Sequence, residues 1–214
     1  MIVNADRIAG LYVLTDPAAG GGEALLQRVA AVLAGGASLV QYRDKSSDQV
    51  RRQQEAGAIR ELCGRHEALF IVNDDVALAA AVDADGVHLG RDDAGVAEAR
   101  AVLGPARIIG VSCYDSLSRA EQAAAAGADY VAFGSVYPSA TKPHAVRASL
   151  SLFGEAKRRL RLPVVAIGGI TPDNAAAVIA AGADAVAVIG SVFLAADPER
   201  EAQRLAALFA DRHC

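Results

Sequence analysis

Tryptophan is absent from this chain, and aromatic residues make up only 5% of it. The apolar fraction, 53%, is therefore mostly Ala, Val, Leu and Ile. That composition suits strands buried on both faces with helices packed closely around them. A basic stripe is also missing. The net charge is −4, which argues against a nucleic-acid partner. No run of roughly 18 apolar residues escapes interruption by a charge or a Gly, so no membrane span is expected. The opening MIVNADRIAGLYVLTD has no basic segment followed by a sustained apolar stretch, so no signal peptide is expected either. Cysteine is scarce. Cys63, Cys113 and Cys214 share no metal-ligand spacing and cannot all pair, so they read as reduced thiols of a cytoplasmic protein.

What the chain does have is rhythm. Short β-branched runs recur at 11–15 (LYVLT), 38–42 (SLVQY), 69–72 (LFIV), 86–89 (GVHL), 107–111 (RIIGV), 129–133 (DYVAF), 163–167 (PVVAI) and 185–189 (AVAVI). Most are continuously apolar rather than alternating, as parallel strands covered on both faces should be. Stretches with helical spacing lie between them, at 23–34, 48–63, 96–103, 118–126, 150–160 and 174–181, with a shorter one at 75–82 and a last at 197–212. Caps are offered by Ser47 or Asp48, by Asp115 or Ser116, and by Thr171-Pro172-Asp173. The segments LAGGASLVQY, AAVDADGVHL, AAAGADYVAF and IAAGADAVAV repeat one device: a helix end, a Gly or Asp, then a new strand, and the Gly of each AGA suits the left-handed residue that ends a helix. Nothing resembling a linker divides residues 1–214. The economical reading is one parallel (β/α)8 barrel, with a doubly wound open sheet as the alternative.

In such a barrel the residues just after each strand face the functional rim. After the second strand, alternation puts Gln41, Arg43 and Lys45 on one side and Tyr42 and Asp44 on the other. Two cations and an amide facing a barrel mouth form a clamp for a polyphosphate; the competing reading is a solvated charged loop. Asn73-Asp74-Asp75 follows the third strand and Gly90-Arg91-Asp92-Asp93 the fourth. Carboxylates on adjacent strand ends can share one Mg²⁺, or they can simply cap the next helices, and we favour Asp74 and Asp93 for the metal. His88, inside the fourth strand, reads more readily as a packed core group than as a catalyst. Ser112 follows the fifth strand. The loop after the sixth, Gly134 to Pro143, is rich in hydroxyls, carries Lys142 and reads as a phosphate-gripping lid. Glycines after the seventh and eighth strands, Gly168-Gly169 and Gly190, suit a phosphate cup.

Taken in order, LYVLTD, QYRDK, VNDDVALAAAVDADGVHLGRDD, IGVSCYD, GADYVAFGSVYPSATKP and VVAIGGITPDNAAAVIAAGADAVAVIGSVF resemble the thiamine-phosphate synthase family along nearly the whole chain. The resemblance implies a Mg²⁺-dependent transferase. A pyrimidine diphosphate would lose pyrophosphate in a dissociative step, and a thiazole phosphate would take up the exposed methylene. It implies that Gln41, Arg43, Lys45 and Asn73 hold the pyrimidine diphosphate, that Asp74 and Asp93 bind Mg²⁺, and that Ser112 faces the pyrimidine or its diphosphate. Ser139 and Thr141 would grip the thiazole phosphate and Lys142 the pyrophosphate, with Gly169, Ile189 and Gly190 completing the cup. Arg43, Lys45, Ser112 and Lys142 would carry the catalysis. The lid departs from the usual PTxTK by Ser139, the cup from the usual Ile-Ser or Val-Ser by Gly190, and Tyr114 stands where histidine is common. Rival readings are a thiazole tautomerase on the same barrel, a sugar-phosphate epimerase or lyase using His88 as base, and a regulatory barrel that binds without turnover. Expected partners are small phosphorylated molecules, with no nucleic acid and no membrane; homo-oligomerisation is left open.

Overall fold

The computed structural model describes residues 7–91, 93–138 and 146–210. Eight strands alternate with eight helices: β1 Gly10–Leu14, α1 Gly22–Ala34, β2 Ala37–Tyr42, α2 Gln49–Arg65, β3 Leu69–Asn73, α3 Val76–Ala81, β4 Gly86–Leu89, α4 Val96–Leu103, β5 Ile108–Tyr114, α5 Leu117–Ala125, β6 Tyr130–Phe133, α6 Leu150–Arg159, β7 Val164–Ile167, α7 Ala175–Ala180, β8 Ala185–Val188 and α8 Pro198–Ala210. The strands pair in parallel and in chain order, and β8 returns to β1 to close the barrel. The open-sheet alternative is thereby excluded. A 3-10 turn, Pro17–Ala19, follows β1 on an Asp16 cap that the sequence did not suggest.

Two apolar layers share this wall. Tyr12, Leu39, Leu69, Ile71, Ile108, Tyr130, Val165, Ala185 and Ala187 fill the barrel from within. Their strand neighbours, such as Val13, Val40, Phe70, Val87, Ile109, Val131 and Val186, pack outward against the helices. Each strand is apolar on both faces because each face meets a different layer.

The end where strands begin is fastened by a repeated carboxylate. Asp85, Asp129 and Asp184, just ahead of β4, β6 and β8, accept from the backbone N–H of Phe70, Ile109 and Val164 at 2.8, 2.7 and 2.8 Å. Each also faces a cation: Arg60 at 4.0 Å, Arg100 at 2.6 Å and Lys157 at 2.9 Å. The recurrent Asp of the helix-to-strand segments thus latches a strand to the one before it. The left-handed stops fall on Gly36, Gly127 and Gly182, and on Asp83 in the segment that lacks a glycine there. Asp48 and Ser116 cap α2 and α5, accepting from Arg51 and Arg119 N–H. At α7 the cap differs from the sequence expectation. Asn174 is the N-cap, and its Oδ1 accepts from Thr171 N–H, so the side chain stiffens the loop rather than the helix.

Candidate active site

At the opposite end, β2 delivers the alternation read from the sequence. Gln41 points into the barrel and is only 2% exposed. Tyr42 points outward and donates to the buried Glu55 at 2.8 Å, and Asp44 accepts from Arg51 at 2.6 Å and from Ser46 N–H at 2.7 Å. This outer network anchors the loop, leaving Arg43 part-buried and Lys45 on the rim. Thr15, at the end of β1, accepts from Arg43 N–H at 2.9 Å and fixes where that arginine begins.

The carboxylates come next. Asp74 adopts a left-handed backbone, φ 62°, just past β3, and its N–H donates to the His88 carbonyl at 2.8 Å. Its carboxylate meets Lys45 Nζ at 3.3 Å. Burial pushes the Asp74 carboxyl above the usual range, and Asp93, within hydrogen-bonding reach, pushes it further, while Lys45 opposes both. Asp93 is positioned by Gly90 N–H, which donates to it at 2.6 Å. Asp75 has the plainer task of the three. It caps α3 and pairs with Arg52 at 2.9 Å. Asp92 lies outside the described residues. Among those described, no cluster of three or more metal-type side chains forms.

Below the rim runs a buried polar seam. Gln41 Nε2 donates to Tyr12 OH at 2.7 Å, Tyr12 and Tyr130 hydroxyls meet at 3.0 Å, His88 Nδ1 meets Tyr130 OH at 2.9 Å, and His88 Nε2 meets Ser112 Oγ at 2.9 Å. Burial lowers the His88 pKa to about 4, against an opposing pull from Asp93, so the ring is neutral at neutral pH. Gln41 Oε1 is buried without a partner among the described residues.

The remaining strand ends bring backbone. Val136 and Tyr137 N–H donate to the Ile167 and Gly168 carbonyls at 3.0 and 2.9 Å, stitching the loop after β6 to the end of β7. Gly168 and Gly169 have φ 104° and 65°, and a Cβ on either would fall on Ser135 or on the Tyr137–Pro138 backbone. The pair is therefore demanded by the crossing loop as well as suited to an anion. Gly190 is exposed, and a Cβ there meets open space.

The thiamine monophosphate synthase family model matches residues 11–192. The chain is 61% identical over 209 residues to a thiamine-phosphate synthase of Thioalkalivibrio sulfidiphilus, covering 98% of this chain and 99% of the relative. It is 58% identical over 205 residues to one of an Azoarcus species, covering 96% and 99%. This chain belongs to the thiamine monophosphate synthase family. A solved structure, thiamine phosphate pyrophosphorylase from Pyrococcus furiosus, superposes with a TM-score of 0.87 at 36% identity, covering 97% of this chain and 98% of that one. The thiamine-phosphate synthases are transferases, and this chain is an enzyme of that class.

Within that family frame, the described residues expected to meet the pyrimidine diphosphate and metal lie on neighbouring strand ends: Gln41 in β2 with Arg43 and Lys45 just past it, Asn73 at the end of β3 with Asp74 next, Asp93 after β4, and Ser112 in β5. Gly169, Ile189 and Gly190 follow β7 and β8 across the mouth. Ser139, Thr141 and Lys142 lie outside the described residues. Sequence reading passed over Thr15, Tyr12 and Tyr130. A signal for the tyrosines existed, since both carry hydroxyls at inward strand positions. Gly110, paired in register with Tyr130, supplies the gap its ring occupies. Tyr114, given no role from sequence, takes φ 55° and lies under the Arg91 guanidinium, 4.7 Å from its ring centre.

Proposed function

We propose that this chain joins 4-amino-2-methyl-5-(diphosphooxymethyl)pyrimidine to a thiazole phosphate, releasing pyrophosphate and forming thiamine phosphate, with Mg²⁺ required. The observation that carries this reading is the carboxyl pair of Asp74 and Asp93 with Lys45 on Asp74, on adjacent strand ends that also carry Gln41, Arg43 and Ser112. The C–O bond to the diphosphate breaks with its electron pair leaving on pyrophosphate, and the thiazole nitrogen then forms the new C–N bond at the methylene. Arg43 and Lys45 face the leaving oxygens, where fixed charges are worth most. Lys45 exchanges its contact with Asp74 for the diphosphate. Gln41 and Ser112, held from below, orient the pyrimidine ring. No strong general base is needed, which agrees with a neutral, enclosed His88.

The metal fits this donor set. Two carboxyls, Asp74 and Asp93, lie within hydrogen-bonding reach of each other with the exposed Lys45 on Asp74, and hard oxygen donors suit Mg²⁺. Asp74 and Asp93 would hold it, and it would neutralise charge on the departing pyrophosphate. The buried, unpaired thiols of Cys63 and Cys113 favour a cytoplasmic setting for the reaction. Among the described residues, no helix is long and apolar enough to cross a membrane.

The test is to incubate the protein with both substrates and Mg²⁺ and measure thiamine phosphate and pyrophosphate. Equal yields of the two, lost with EDTA and in Asp74→Asn and Asp93→Asn, are expected. A folded protein that binds thiazole phosphate but makes neither product refutes the reading.

A further inference from the structure

The seam beneath the mouth has a direction. It runs Gln41–Tyr12–Tyr130–His88–Ser112, drawing on five strands, and both phenols are fully buried. A phenol hydroxyl has one proton, so each can donate only once. With Gln41 giving an N–H to Tyr12, the Tyr12 proton goes to Tyr130 and the Tyr130 proton to His88 Nδ1. His88 then donates from Nε2 to Ser112, whose own proton is turned away from the seam and towards the mouth. At the far end the buried Gln41 Oε1 is left as an acceptor without a donor among the described residues. The opposite direction reverses both ends together: Tyr12 donates to Gln41 Oε1, Gln41 shows the mouth only N–H groups, and Ser112 spends its proton on His88.

We propose that Tyr12, Tyr130 and His88 are positioning residues that set the hydrogen-bond polarity of the mouth, holding Gln41 as acceptor and Ser112 as donor. This rests on the reaction assigned above and adds a basis for choosing the ring. The seam favours a heteroaromatic diphosphate that presents an amino N–H to Gln41, and it disfavours the oxo counterpart, which presents a carbonyl to a buried carbonyl. No proton is passed along the seam. It selects by leaving the wrong ring with an unpaired buried acceptor, which is how polar pockets reach high discrimination.

The experiment compares kcat/KM for the aminopyrimidine diphosphate and its 4-oxo analogue in the wild type, Tyr130→Phe and Tyr12→Phe. Either substitution removes one link and lets the two ends choose independently. The amino-to-oxo ratio should fall by roughly tenfold or more in both variants, since Gln41 can then rotate to meet the oxo group. Nitrogen NMR should report His88 protonated on Nε2 in the wild type and on a mixture of nitrogens in Tyr130→Phe. A ratio unchanged in the variants, whether rates fall equally or not at all, overturns the proposal, as does an Nδ1-protonated His88 in the wild type. Wild type that makes no product from the aminopyrimidine refutes the assigned reaction, whereas active wild type with unchanged ratios in the variants refutes only the seam. If Tyr130→Phe does not fold, Tyr12→Phe decides alone.

Discussion

Replacing Asp129 with alanine should cost stability without touching the chemistry. Its Oδ2 accepts from Ile109 N–H at 2.7 Å and from Arg100 Nη2 at 2.6 Å, at the end of the barrel where strands begin. Truncation leaves the Ile109 N–H, in a buried strand, with no acceptor, a loss of about 1–3 kcal/mol. The ion pair adds less. Asp129 and Arg100 side chains are 32% and 26% exposed, and Arg100 keeps the Gly104, Arg107 and Gly127 carbonyls, so about 0.2–1 kcal/mol goes with it. The sum is about 1–4 kcal/mol, a fall in Tm of about 2–16 °C for a chain of this size. Asp129→Asn keeps an acceptor for Ile109 and should lose about 1 kcal/mol or less. Urea unfolding of both variants measures the difference, and kcat/KM well below the transition tests the separation of the two ends. A loss under about 0.5 kcal/mol for alanine refutes the latch. Lost turnover in a folded variant refutes its independence from the site.

The Asp74 carboxyl is raised by burial and by Asp93, so its ionised form costs more in the fold than in the unfolded chain. That stability is present below the unfolded pKa and lost as pH climbs through the folded one. Without metal at neutral pH, Asp74→Asn should therefore be no less stable than wild type by urea unfolding, and asparagine accepts the left-handed φ. Turnover should nevertheless drop on the order of a hundredfold. A variant weaker by more than about 1 kcal/mol contradicts this. For His88 the sign reverses in origin. Burial first, against an opposing Asp93, holds the folded pKa at about 4, below the unfolded value, so the unfolded chain takes up a proton first as pH falls. Stability should decline between about pH 6.5 and 4 by up to about 3 kcal/mol, a slope absent from His88→Gln in matched denaturant titrations. An equal slope in the variant excludes His88 as its source. Gly168→Ala combines φ 104° with a Cβ placed on Ser135 and should lose about 3 kcal/mol or more, whereas Gly190→Ser should stay within about 0.5 kcal/mol and keep its activity. Thermal melts and the coupled-product assay separate them.

The barrel was legible because each strand must be apolar on both faces and each helix must stop before the next strand. Those two demands are local. β5 was read as ending at residue 111, yet it runs to Tyr114, because Ser112 is polar and faces the mouth while Cys113 packs outward. That Gln41 turns into the barrel while Tyr42 turns outward was legible for the same local reason, strand alternation. The seam was not. Tyr12 and Tyr130 are 118 residues apart, and no period in the sequence pairs them. Nor did the sequence show that Asp74 would take a left-handed backbone, or that Asn174 would turn its amide to Thr171. These depend on neighbours brought together only by closure.

The two glycine sites on the far side of the mouth also differ in how they can drift. Gly168-Gly169 is held by the loop that crosses it, whatever the ligand, so its persistence in a lineage records a backbone crossing and says little about chemistry. A Cβ at Gly190 meets no atom of the described residues within 4 Å, and a serine or alanine there would pass through selection for folding almost unopposed. Variation in the cup should therefore accumulate at position 190 and leave 168 and 169 alone, making 190 the place where a descendant could retune its phosphate contacts in a single step.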